Sequence, residues 1–186
     1  KAWRSLNIVG PMLGDNGSAQ TAVLVIVSWL LPNQERVCAK LLGLSLIGFL
    51  GLGHVRLSII DLSLNGNQPF SDDNQEIYAV VNGELYTHEY YREKLASEYN
   101  FKGESDCEIV IALYRHYGLS FLSYCRGEFA LVLWDAKRKL FFAARDRYGI
   151  KSLYYTVINH RLLIATEMKS FLAFGWQPEW CVQSLR

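Results

Sequence analysis

The sequence predicts an α+β fold. Two pairs of β-branched and aromatic runs are each separated by a short polar stretch, as antiparallel hairpins require. The strongest helical periodicity is gathered between strands and does not alternate with each of them, which argues against a βαβ arrangement. The 186 residues are 51% hydrophobic and 13% aromatic, enough to bury one substantial core in a domain of ordinary size.

The elements follow in order. Residues 1–53 read as irregular, with a loop-forming stretch over 10–20 rich in Gly, Asn, Asp and Ser. Two apolar runs, 21–31 and 41–52, are each shorter than the roughly 20 residues of a membrane-spanning helix. Pro32, Gln34, Glu35, Arg36 and Lys40 separate them, and no basic leader with a cleavage site precedes them, so neither a span nor a signal peptide is expected. Residues 55–62 are β-branched and apolar and predict a buried strand. Residues 77–81 predict another, meeting a tight turn at Asn82-Gly83. Thr87 can cap a helix over 88–99. Ser105 and Glu108 have capping-box spacing and would open a helix over 106–117, stopped by Gly118. Residues 128–134 and 140–145 predict one hairpin, and 153–157 with 161–166 a second. A short helix over 167–174 ends at Gly175.

Charge and cysteine usage narrow the partners. A formal net charge of +1 gives no reason to expect nucleic acid. The four cysteines, Cys38, Cys107, Cys125 and Cys181, contain no CxxC pair, which argues against a zinc site. They are too sparse for a disulfide framework and read as reduced thiols of a cytoplasmic protein.

Four segments carry chemistry: residues 53–61, 81–84, 105–108 and 144–151. Arg56 sits in an apolar run, where a guanidinium needs a partner; it forms either a structural ion pair or a two-point grip on a ligand carboxylate. Asn82-Gly83 is either a hairpin turn or a pair of donors, one side-chain amide and one backbone N–H, converging on an oxyanion. Glu84 and Asp106 are either cap and surface carboxylates or acceptors for an ammonium group. One cation, one pair of oxyanion donors and two carboxylates suit an enzyme that holds a free amino acid and attacks its side-chain amide.

The motifs GHVRLSIIDLS, GNQP, VNGELY, SDCEIVIALY, RGEFALVLWD and AARDRYGIK, with Ala165-Thr166-Glu167-Met168-Lys169, resemble the N-terminal domain of glutamine-hydrolysing asparagine synthetases over roughly 135 residues in the same order. That resemblance implies residues 51–186 as a class II glutamine amidotransferase domain with a four-layer αββα sandwich of the N-terminal nucleophile hydrolase type. It implies that Arg56 binds the α-carboxylate of L-glutamine, that the backbone from Leu57 to Ile60 lines the same pocket, that Asn82 and Gly83 form the oxyanion hole, and that Glu84 and Asp106 hold the α-ammonium. It implies a synthetase domain or subunit as partner, and a homodimer as a form to consider. No cofactor is expected in this chain; ATP and Mg are expected only on a synthetase domain that these residues do not include, since no Ser-Gly-Gly loop occurs.

Two departures stand out. The resemblance calls for an N-terminal cysteine whose own amine acts as base, yet the sequence opens on Lys1-Ala2-Trp3. Residues 1–50 have no counterpart in the resemblance and read as an atypical segment, such as a misjoined exon or a truncated start. Cys38 has an ordinary peptide nitrogen, and Cys107, at the start of a helix, is expected to point away from the substrate. On this reading the domain hydrolyses glutamine only if a nucleophile is supplied, and otherwise binds glutamine or acts as scaffold.

Overall fold

The computed structural model describes residues 22–28, 45–47, 50–55, 61, 63–158, 161–179, 181 and 183. Its strands are β1 (Ala22–Ser28), β2 (Ser45–Ile47), β3 (Leu50–Val55), β4 (Phe70–Ser71), β5 (Ile77–Leu85), β6 (Gly127–Asp135), β7 (Leu140–Arg145), β8 (Tyr154–Ile158) and β9 (Arg161–Ala165). They form a five-stranded sheet in the order β2-β3-β1-β9-β8 and a four-stranded sheet in the order β4-β5-β6-β7, with every pairing antiparallel. The helices α1 (His88–Leu95) and α2 (Ile109–Tyr117) fall between β5 and β6.

Alternation along β5 and β6 gives the four-stranded sheet two apolar faces. Ala79, Val81 and Leu85, with Phe129, Leu131 and Leu133, pack with Ile109, Val110 and Leu113 of α2 in one buried cluster. Val80, Val132 and Trp134 pack with Leu50, Leu52 and Leu163 of the other sheet in a second. The order is therefore sheet, sheet, helices. Of the four layers expected, the described residues show these three. The segment Met168–Phe174 is a 3-10 helix, and its Phe171 joins the cluster between the sheets.

The hairpins β6–β7 and β8–β9 form where the sequence places them. The apolar runs near the start, read as irregular, carry β1, β2 and β3, with β1 a central strand between β3 and β9. Of the strand expected over 55–62, only Val55 lies in β3, Asp61 is outside any strand, and residues 56–60 and 62 lie outside the described residues.

Helix α2 is buried from Ile109 to Tyr114, carries Arg115 and His116 in its last turn, and ends at Gly118, whose φ of 57° few other residues adopt. The Tyr114 hydroxyl donates to Asp135 Oδ2 at 2.8 Å and ties the helix to the β6–β7 turn. The capping box is not formed. Residues Asp106–Glu108 make a 3-10 turn instead of the first α turn, and Ser105 makes no side-chain cap bond. Glu108 is 1% exposed and looks the other way, accepting from Lys102 N (2.9 Å), Gly103 N (3.1 Å) and the Tyr99 hydroxyl (3.3 Å). Burial, and next the Glu108 charge, push the Tyr99 phenol upward, so it stays a donor. Thr87 stands at the start of α1 but makes no cap bond.

Replacing Glu108 with Ala leaves three donors without their acceptor. The expected loss is about 3 kcal/mol of folding free energy, read as a lower urea midpoint.

Candidate functional site

The last four residues of β5 hold Asn82, Gly83 and Glu84, paired with Ala130, Phe129 and Glu128 of β6. The turn expected at Asn82-Gly83 is absent: the pairing runs through both residues to Leu85↔Gly127. The two glycines serve close approach of the strands. Gly83 has φ 147° and Gly127 has φ 149°, and a Cβ on either would sit 2.0 Å from the carbonyl oxygen of Glu128 or Glu84 respectively.

Hydrogen-bond parity then fixes what each residue of β5 offers. Ala136 N–H donates to Glu76 O and Tyr86 N–H to Arg126 O, so the backbone groups of even-numbered residues turn toward β6. Those of Val81, Gly83 and Leu85 turn toward the opposite edge, where β4 reaches only as far as Phe70, opposite Ala79. Side chains replace the missing strand. The buried amide of Gln68 pairs with Val81 twice, accepting from its N–H at 2.6 Å and donating to its carbonyl at 2.9 Å. Cys107 Sγ donates to Gly83 O at 3.3 Å, and Asp106 Oδ2 accepts from Leu85 N at 2.7 Å. The Gly83 N–H is left without a partner among the described residues.

The even side chains lie on the face that meets the other sheet. Beyond the buried Val80, this face runs out through half-buried Asn82 to exposed Glu84, and neither side chain has a hydrogen-bond or ion-pair partner among the described residues. Glu128, opposite Glu84, is paired with Lys151 Nζ at 2.8 Å. Lys151 ends a loop organised by Asp146, which is 5% exposed and accepts from the N–H groups of Tyr148 (2.9 Å), Ile150 (3.1 Å), Lys151 (3.1 Å) and Phe129 (3.3 Å). Burial by itself would raise the Asp146 carboxyl, but these N–H groups outweigh it and hold it below the usual carboxylate value.

Of the residues singled out in the sequence, the structure brings Asn82, Gly83, Glu84 and Asp106 to one end of β5. Arg56, Leu57 and Ile60 lie outside the described residues. Asp61, shortly after them, accepts from Glu104 N at 2.9 Å and so joins the end of that segment to the loop before Asp106. The expectation that Cys107 points away is corrected: because Asp106–Glu108 is a 3-10 turn laid against β5, the thiol meets Gly83. Of the two buried cysteines, Cys107 lies against Gly83 O, and burial pushes the Cys125 thiol up to about 12. Cys38 lies outside the described residues. Sequence reasoning missed the roles of Gln68, Glu128, Lys151 and Asp146; only their presence in the quoted motifs marked them. Among the described residues, no group of three or more His, Cys, Asp or Glu could hold a metal ion, and no helix is long and apolar enough to cross a membrane.

Comparison with known proteins adds the family. Residues 43–185 match the model of a glutamine amidotransferase domain. The chain is 76% identical over 137 residues to amidase chyE of Penicillium rubens, covering 74% of this chain and 20% of that protein. It is 42% identical over 130 residues to asparagine synthetase [glutamine-hydrolyzing] 2 of Bacillus subtilis, covering 69% of this chain and 17% of that protein. It thus spans about a fifth of the length of these relatives. Among solved structures it resembles the glutamine phosphoribosylpyrophosphate amidotransferase of B. subtilis, with a TM-score of 0.58, 22% identity, and coverage of 69% of this chain and 30% of that one, a likeness of fold.

Two measurements test this geometry. Changing Gln68 to Ala strips Val81 of both partners in a buried setting and should cost about 2–4 kcal/mol in denaturant unfolding. Changing Asp146 to Asn should cost about 2 kcal/mol at neutral pH. Because the native carboxyl titrates below its unfolded value of about 3.9, that stabilisation is present above pH 4 and is lost as pH falls through the native value. The gap between parent and variant should therefore narrow in acid unfolding curves below about pH 4.

Proposed function

The chain belongs to the family of glutamine amidotransferase domains, and from that premise we propose that it binds free L-glutamine at the open end of β5. The observation that carries this reading is the unpartnered Gly83 N–H at a strand edge where the groups on either side are engaged, next to an unpartnered Asn82 amide. These two donors suit the side-chain carbonyl of glutamine, whose oxygen becomes an oxyanion when the amide carbon is attacked. Glu84, with its free carboxylate, and Asp106, with one oxygen on Leu85 N–H and no described partner for the other, suit the α-ammonium. Arg56 would take the α-carboxylate as a two-point pair, with the backbone from Leu57 to Ile60 lining the pocket; the Asp61–Glu104 bond supports that placement by drawing the segment's end toward Asp106.

Ammonia release needs a nucleophile, a role that burial of the Cys125 thiol does not suit. What the described residues support is glutamine binding. Joined to a suitable nucleophile and a synthetase domain or subunit, the domain would deliver ammonia to an acceptor, with ATP and Mg residing on that partner. The relatives called asparagine synthetases support aspartate as acceptor. The higher identity to relatives called amidases weights amide chemistry in general over asparagine formation in particular.

Titration calorimetry on the chain should show one site for L-glutamine, weakened at least tenfold for an analogue lacking the α-amine, about 1.4 kcal/mol or more. Arg56→Ala should remove about 2–5 kcal/mol of binding free energy. Absence of any heat with L-glutamine would favour a scaffold role instead, and an unchanged affinity in Arg56→Ala would refute the carboxylate assignment.

A further inference from the structure

Glu84 and Glu128 stand directly opposite each other on the β5–β6 ladder. Cβ atoms so placed are about 5 Å apart, and like charges there repel. The repulsion is relieved on one side only. Lys151 pairs with Glu128 at 2.8 Å, while the exposed Glu84 has no partner among the described residues. A lysine on a flexible stem that pairs with one of two opposed carboxylates can swing to the other. Its root decides. The Lys151 N–H is bonded to Asp146 Oδ2 at 3.1 Å, and the Asp146 N–H to Phe129 O at 2.7 Å, beside Glu128 on the same strand. Two other charged groups flank this end. Arg145 of β7 is opposite Ala130, two strands from Asn82, with its guanidinium under Gly149; Asp106 holds the far edge of β5.

We infer that Glu128 is a positioning residue: by holding Lys151 it keeps that cation off Glu84, so that Glu84 presents an uncompensated carboxylate to the ammonium of a free amino acid. The inference rests on the proposed glutamine site for its ligand and deepens it by naming what sets the charge of the ammonium end. In Glu128→Gln the lysine is released and pairs with Glu84. In the double variant Glu128→Gln with Lys151→Met, Glu84 is free again. A residue that merely supports the fold would not give this reversal.

The test follows the side-chain carboxyl of Glu84 by carbon NMR in the parent, both single variants and the double variant, with L-glutamine binding measured on each by calorimetry and folding checked by circular dichroism. The Glu84 midpoint should fall by about one unit in Glu128→Gln, return near the parent in the double variant, and rise above the parent in Lys151→Met. Glutamine should bind about tenfold more weakly to Glu128→Gln and within about threefold of the parent to the double variant. A Glu128→Gln chain with parental midpoint and affinity, or a double variant as weak as the single one, overturns the inference. If the parent binds no glutamine, the proposed function fails, and the order of midpoints still decides whether Glu128 guards Glu84.

Discussion

The site depends on an unfinished strand. β4 pairs with β5 only through Phe70↔Ala79 and Ser71↔Tyr78, and the edge of β5 beyond Ala79 has no strand beside it. Bare backbone groups in a partly buried edge must find partners or water. Here three side chains from distant parts of the sequence take over, Gln68 on Val81, Cys107 on Gly83 O and Asp106 on Leu85 N, and the one donor they leave is Gly83 N–H. Among the described residues, the free donor is thus defined by exclusion. A donor fixed in advance costs little reorganisation when a charge develops in front of it.

The second constraint is steric. Gly83 and Gly127 sit where any Cβ would strike the partner strand's carbonyl, so β5 and β6 meet closer than side chains allow. This close pairing carries the register through Glu84↔Glu128 and sets two carboxylates face to face. Packing therefore creates an electrostatic conflict, and the Lys151 pair resolves half of it. Structure and charge at this end of the sheet are consequences of the same two glycines.

Much of this was legible in the sequence. The hairpins β6–β7 and β8–β9 and the helix α2 follow local periodicity and turn residues, and the fold class follows from them. The candidate residues Asn82, Gly83, Glu84 and Asp106 were legible as residue types, and the structure gathers them at one strand end. What failed were readings in which a local signal competed with long-range pairing. Asn82-Gly83 has the chemistry of a turn, but ladder bonds to β6 on both sides of it win, and Gly83 spends its conformational freedom on close approach. Ser105 and Glu108 have capping spacing, but Glu108 finds three better donors in the loop before it. The grip of Gln68 on Val81 spans 13 residues and leaves no periodic trace in the sequence. The apolar runs near the start lack alternation, and their pairing with β9, far along the sequence, leaves no local sign.

The anchoring of the 146–151 loop has a mechanical consequence. Lys151 hangs from Asp146, Asp146 is bonded to Phe129 beside Glu128, and three residues on from Lys151 the chain enters β8 of the other sheet, so the Lys151–Glu128 pair sits where the two sheets are joined. When stacked sheets slide over each other by shear, a pair at such a joint feels the movement. The charge balance at this rim is therefore coupled to breathing between the sheets.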